Sequence, residues 1–241
     1  MDRTKMIFWD FDGTLGYRKN GMWGASMLEA LKQYDPGTAL TAPSFRNFLL
    51  TGFPWHHPEQ AYLPVRSADE WWTPILHKFS AGFSHYGIPQ ADAEQLAMKT
   101  RSIFLDLQQW TLFEDTKETL QEMKERGWKQ GILSNHVPEL KEIVKSLGIL
   151  DYFDCFINSA LVGYEKPNAE IFKAASKQAG DPEQIWMVGD NPEADIRGAE
   201  SVGWNAILIR NQDHMDVRFS CPTLTEVIEI VESHQGKPDC A

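Results

Sequence analysis

Residues 6–15 read MIFWDFDGTL: four apolar residues, then two aspartates flanking Phe11, then Gly13 and Thr14. A short run that is apolar throughout and bounded by turn-forming residues is the pattern of a strand buried on both faces. The whole N-terminal stretch, residues 1–15, is too short in apolar length and too soon interrupted by charge to be a signal peptide or a membrane span. Read as a strand, it carries Asp10 and Asp12 at its carboxyl end, where open parallel sheets bind ligands.

The rest of the sheet is expected downstream. Beyond about residue 113, Asp115 and Glu118 are spaced as a capping box ahead of Leu120 and Met123, Gly127 closes that helix, and the strand-like run Gln130 to Leu133 follows. Pro138 opens a second helix with Leu140, Ile143, Val144 and Leu147 on one face, stopped by Gly148 before a strand-like stretch at 152–157. A third helix over 169–179 ends at Gly180 ahead of the run 185–188, and a fourth near 194–201 stops at Gly203 before 206–209. Thr223 with Glu226 caps a last helix. Apolar strands alternating with helices predict a doubly wound parallel α/β sheet covered on both faces.

Residues 25–110 differ, with helical periodicity, no convincing strand, four of the nine tryptophans and four of the seven histidines. Trp71, Trp72, Ile75, Leu76, Phe79 and Phe83 recur at spacings of three to four, and Pro74 either starts that helix or lies within it. The expected organisation is therefore a core made of residues 1–24 and 111–241, with a helical domain, 25–110, inserted. Asn20-Gly21 predicts a tight hairpin between Tyr17 and Trp23.

Three polar clusters directly follow predicted strands: Asp10 to Thr14, Ser134 with Asn135, and Gly189-Asp190 with Asp195. The fold would bring them to one crevice. Lys166, on a loop entering a helix, could add a cation. Asp10, Asp12 and Asp190 crowded at one place call for a hard divalent cation, Mg2+ being the expected one. With charge neutralised in this way, a carboxylate can attack phosphorus in line, and a second carboxyl two residues away can protonate the leaving group and then activate water. Gly13 would allow a sharp turn beside the ligand, and Thr14 could hold the aspartates by hydrogen bonding. Asn135 fits either a phosphate contact or a helix N-cap. Asp195 fits a supporting role or a complement to a helix dipole.

Composition narrows the partners. Lys and Arg number 23 against 34 Asp and Glu, a formal charge of -11 that repels nucleic-acid polymers. Three cysteines, Cys155, Cys221 and Cys240, form an odd set without metal-ligand spacing, which fits a reducing, cytoplasmic setting. A small phosphorylated metabolite is the expected partner, with neither membrane nor nucleic acid, and the chain is expected to be a monomer or homodimer.

DFDGTL at 10–15, ILSN at 132–135, EKPNAEIF at 165–172 and VGDNPEADIRGA at 188–199 together resemble the four ordered motifs of the haloacid-dehalogenase superfamily. The helical insertion occupies the position of that family's cap domain of the first type. The resemblance implies a magnesium-dependent phosphatase in which Asp10 is the nucleophile and Asp12 the general acid/base. It further implies that Ser134 and Lys166 hold the phosphate, that Asp10, Asp190 and the backbone carbonyl of Asp12 bind magnesium, and that Asp195 supports this shell. A phosphomutase shares all four motifs. A 2-haloacid dehalogenase resembles this chain but lacks the second aspartate of the first motif, so Asp12 favours phosphoryl chemistry. A non-catalytic binding protein would not need every reactive side chain retained.

In the insertion, residues 51–58 read TGFPWHHP. Trp55, His56 or His57 is expected to contact the leaving group; as a metal site the two adjacent histidines are poor, having no further spaced ligands. Arg18 and Lys19, next to the first motif, are candidate substrate contacts. Lys32, Lys78 and Lys99 lie in no recognisable Schiff-base context.

Overall fold

The structure is a computed structural model and describes residues 4–62, 67–211 and 216–234. Cys240 lies outside the described residues. Six parallel strands form one sheet in the order β5-β4-β1-β6-β7-β8, with β1 Lys5–Trp9, β4 Lys129–Ser134, β5 Cys155–Asn158, β6 Gln184–Gly189, β7 Asn205–Ile209 and β8 Ser220–Cys221. Helices alternate with most of the strands in sequence: α5 Thr116–Glu125, α6 Leu140–Ser146, α7 Ser159–Val162, α8 Ala169–Ala179 and α9 Gly198–Ser201, with α10 Leu224–Ser233 after the last strand. Strand β1 suits the central position because everything in it beyond Lys5 is apolar: Met6 to Trp9 are all buried, alternately facing two apolar clusters, one on each side of the sheet. This is the doubly wound architecture that the alternating pattern predicts.

Between β1 and β4 the chain leaves the sheet. Strand β2 Gly16–Arg18 leads into the helices α1 Trp23–Tyr34, α2 Arg46–Leu49, α3 Ala68–His85 and α4 Gln90–Phe104, and β3 Trp110–Leu112 leads back. Helices α3 and α4 pack through Trp71, Trp72, Ile75, Phe79 and Phe83 on one side and Ala93, Leu96 and Ala97 on the other, all buried. Pro74 is inside α3, in its second turn, where the missing backbone N–H removes one early helical bond.

Three local expectations fail. No hairpin joins Tyr17 to Trp23, since β2 pairs antiparallel with β3, Gly16 opposite Leu112 and Arg18 opposite Trp110. Gly21 does turn with positive φ, but into α1, which already begins at Trp23. Asp115 makes no cap bond within α5; its carboxylate instead accepts from Arg210 Nη2 at 2.6 Å and from the backbone N–H of Leu224 at 2.8 Å, tying α5 to α10. The segment expected as a fourth helix begins as a π-helical turn, Pro192–Arg197, before α9. Among the described residues, no helix is long and apolar enough to cross a membrane.

Candidate active site

Parallel register brings the motifs together. Trp9 is level with Ile132 on one neighbour and with Val188 on the other, so Asp10 leaves β1 beside Leu133 and Gly189. The Asp10 N–H continues the sheet by donating to the Val188 carbonyl at 2.9 Å. The chain then doubles back, the amides of Leu15 and Gly16 both donating to the Phe11 carbonyl. Gly13 takes φ 82°, and a Cβ there would lie 2.5 Å from Asp190 Oδ2, so only glycine lets this turn press against the second carboxylate. Gly189 is equally constrained, because a side chain there would collide with the Asp195 carboxylate.

Carboxylate oxygens of Asp10, Asp190 and Asp195 lie within 4.8 Å of one another. Lys166 is the counter-charge. Its ammonium is buried, 3.0 Å from Asp10 Oδ1 and 2.5 Å from Asp195 Oδ1, and it donates to the Leu133 carbonyl at 2.9 Å. Burial works against the charged ammonium, but Asp10 and Asp195 outweigh it and raise its proton affinity. One lysine does not balance the carboxylates. Burial first, then the charges of Asp10 and Asp190, pushes the Asp12 carboxyl up to about 7; burial, Asp10 and Asp195 do the same to Asp190.

The structure assigns several side chains to jobs other than those the sequence suggests. Asn135 grips the backbone of Lys166 on both sides, accepting from its N–H at 2.7 Å and donating to its carbonyl at 2.9 Å. It caps no helix, the N-cap of α6 being Glu139. Thr14 does not hold the aspartates, since its buried hydroxyl meets no hydrogen-bond partner. Ser134 ends β4 with its hydroxyl buried and likewise unpaired. Asp195 is buried in the first turn of the helical segment that follows β6, with one oxygen on Lys166 and the other accepting from the N-cap Asn191 N–H at 3.0 Å, so it both supports the lysine and complements the helix start.

Above these groups lies a cavity of about 530 Å³ whose walls come from both the sheet end and the insertion. Trp23, Trp55, Pro58 and Phe104 reach it, as do Asp12, Asn135, Lys166 and Asp190. Neither His56 nor His57 lines it. His56 Nδ1 accepts from the Phe53 N–H at 3.3 Å, closing its own turn, and His57 pairs at 3.4 Å with exposed Glu59. Arg18 is buried and donates to the carbonyls of Gly21 and Ile103, so it holds the stem of the insertion; Lys19 donates to the Gln108 carbonyl.

Sequence reasoning missed His136, which lines the cavity packed against Phe11, Phe104 and Trp110. Burial pushes its imidazole down to about 4, so it is neutral at pH 7. Also missed are the ties between insertion and core. Tyr62 OH donates to Glu165 Oε1 at 2.5 Å and its backbone N–H to the Gly163 carbonyl at 3.0 Å, while Asn168 Nδ2 donates to the Pro58 carbonyl at 2.8 Å. On the other flank Trp72 Nε1 and Arg101 Nη2 each donate to Glu139 at 3.1 Å. Glu165 stands directly before Lys166 in the motif, which was the available signal.

The family profile of haloacid dehalogenase-like hydrolases matches residues 4–203. Haloacid dehalogenase-like hydrolase domain-containing protein 3 of Mus musculus is 32% identical over 162 residues, 64% of this chain and 61% of that protein. Glyceraldehyde 3-phosphate phosphatase of Methanothermobacter thermautotrophicus is 37% identical over 103 residues, 42% of this chain and 45% of that one. The matched stretches span less than two thirds of these relatives. Among solved structures, Bacillus subtilis YfnB bound to magnesium superposes with a TM-score of 0.70 over 96% of this chain and all of that one, at 18% identity, a likeness of fold alone.

Proposed function

The chain belongs to the haloacid dehalogenase-like hydrolases, and from that premise we propose that it is a magnesium-dependent phosphatase cleaving a small phosphate monoester through a phosphorylated Asp10. The observation that carries this reading is the convergence of Asp10, Asp190 and Asp195 at the carboxyl ends of β1 and β6 around one buried ammonium. We also take residues 25–110 as the cap domain and 1–24 with 111–241 as the core.

The donor set fits a hard divalent cation. The clustered groups are oxygen-only, their charge exceeds what Lys166 neutralises, and Gly13 leaves room beside Asp190 that a Cβ would fill. Asp10, Asp190 and the Asp12 carbonyl would hold the ion, and Asp195, whose oxygens are engaged by Lys166 and the Asn191 N–H, would keep the lysine and the loop in place. Magnesium supplies positive charge against the phosphoryl oxygens.

The chain's own residues do the rest. An Asp10 oxygen attacks phosphorus while the bond from phosphorus to the alcohol oxygen breaks, and Asp12 gives its proton to the departing alkoxide. Water then attacks phosphorus, Asp12 takes back a proton, and inorganic phosphate leaves as the Asp10 carboxylate is restored. Burial suits Asp12 to this exchange, because a carboxyl titrating at about 7 both gives and takes a proton near neutrality. Lys166 offsets charge on the phosphoryl oxygens, Asn135 fixes the backbone that carries Lys166, and we assign a further phosphate contact to Ser134, whose buried hydroxyl at the end of β4 meets no partner.

The test is a panel of small phosphate esters assayed with magnesium and again with chelator, together with trapping of an acid-stable, base-labile phosphoenzyme. Magnesium-dependent release of phosphate with label on Asp10 is expected. Equal turnover in chelator, or halide release from a 2-haloacid without phosphate ester hydrolysis, would overturn the reading.

A further inference from the structure

Resting on the phosphatase reading, we propose that the substrate's leaving group bears no second anionic group and presents an apolar, ring-bearing face to the insertion. The cavity itself suggests this, because its two ends differ in chemistry. Its floor is acidic, with Asp12, Asp190 and Asp195 alongside Asp10, and Glu193 stands at its edge. Among the described residues lining it, Lys166 is the only cation. An ammonium has three donors, and those of Lys166 face the Leu133 carbonyl, Asp10 and Asp195. Its charge is already shared between two carboxylates, leaving none for a carboxylate or a second phosphate on the alcohol. His136, neutral at pH 7, adds no charge. An ion held by Asp10 and Asp190 would be occupied by the transferring phosphoryl group, so a second anion on the alcohol would meet the remaining acidic, partly desolvated space without a counter-charge, where repulsion is felt more strongly than in water.

The roof is aromatic and held in place. Trp23 is stacked on Phe104 at 3.8 Å between ring centres and 10° between planes, and Trp55 stacks on Trp23 from another side at 6.2 Å and 20°. Phe53, buried, lies 4.6 Å from Trp55 and stacks on it, so Trp55 is braced from behind. Trp23 and Trp55 remain half-buried, and both line the cavity. With Phe104, Met22 and Pro58 they make a wall from the insertion that offers dispersion contacts and apolar burial to whatever lies opposite the phosphoryl group. A volume of about 530 Å³ is within the range that encloses a drug-sized ligand, well beyond a phosphoryl group with two or three carbons.

The decisive comparison uses esters matched in shape and in leaving-group basicity. The intact protein is assayed with magnesium on 4-methylbenzyl phosphate, its carboxylated analogue 4-carboxybenzyl phosphate, glycerol 1-phosphate and phosphocholine. The expected kcat/KM for the methylbenzyl ester exceeds that of the carboxylated one by about 30-fold or more, and that of glycerol phosphate by about tenfold. Trp55→Ala should shrink the gap between the ring ester and glycerol phosphate, mainly by raising KM for the ring ester. Parity of the carboxylated ester with the methyl one overturns the proposal, as does phosphocholine overtaking both, which would make the aromatic wall a cation site. If Trp55→Ala lowers every ester equally, the wall is packing only and the apolar half of the proposal falls. Failure to release phosphate from any ester overturns the phosphatase reading itself, whereas turnover with the opposite ranking overturns this proposal alone.

Discussion

The sheet's carboxyl end and the loop at residues 53–62 face each other across the same cavity, yet they are built differently. At the sheet end, polar groups answer one another: Lys166 meets three oxygens, Asn135 holds the lysine backbone at two points, and Asp195 reaches both the lysine and the Asn191 N–H. In the loop, placement comes from ring stacking and three hydrogen bonds to the core, and its imidazoles look away from the cavity. The difference suggests a division of labour in which a polar floor handles the phosphoryl group common to all candidate substrates and an apolar roof handles what varies.

Four experiments can break or sharpen that division. The largest effect is expected at the floor. Asp10→Asn removes the nucleophile with almost no change of volume, so hydrolysis of an aryl phosphate should fall by more than about 10⁴ while circular dichroism is unchanged. Activity within about tenfold of the parent, a barrier change of only about 1.4 kcal/mol, would refute the assignment. Asp12→Asn should reduce turnover by about 10² to 10⁴ while titration calorimetry shows magnesium affinity preserved, because the expected metal contact there is a backbone carbonyl. Joint loss of affinity and turnover would make Asp12 a direct ligand instead.

The third experiment concerns the seam between floor and roof. Burial raises the Glu165 carboxyl from an ordinary 4.5 to about 7, against the opposing pull of Tyr62, Ser159 and Lys166. Between those two values the folded chain keeps a proton that the unfolded chain releases, so stability falls as pH rises from about 4.5 to about 7. Asp12 and Asp190, raised likewise, act in the same direction. In chelator, the melting temperature should drop across this window, and Glu165→Gln should flatten the slope without abolishing it; an unchanged slope would show that Glu165 does not hold that proton. The smallest effect is expected in the loop itself. His56→Ala and His57→Ala should leave the order of substrates by kcat/KM unaltered and each rate within about twofold, whereas a changed order would return these imidazoles to the site.

How much of this was legible in the chain depended on range. Strands β1, β4, β6 and β7 announce themselves because strands buried on both faces are mostly apolar, Gln130 in β4 being a buried exception, and the acidic and amide residues at their ends follow directly. Pairing of Gly16 with Leu112 cannot be read locally, since its partner lies nearly a hundred residues away and the Asn20-Gly21 signal fits a hairpin equally well. Asp115 looks like a cap by spacing, but Arg210 and Leu224, distant in sequence, claim its oxygens. His136 was passed over because a lone histidine after a strand carries no spacing, and its significance lies in the rings that enclose it. His56 and His57 drew attention by composition, which says nothing about where an imidazole points.

The pairing of β2 with β3 also bears on how quickly the chain can find its fold. Central strand β1 must meet β4 across the whole insertion, a contact that ordinarily has to wait for a long segment to close on itself. Once Gly16 to Arg18 are zipped to Trp110 to Leu112, the insertion becomes a side loop, and the chain still to be closed shortens from roughly 120 residues to roughly 25, an entropic saving of about 1.4 kcal/mol. The short stem thus separates closure of the insertion from the shorter closure of the sheet, and variants that unzip it should slow refolding more than they hasten unfolding.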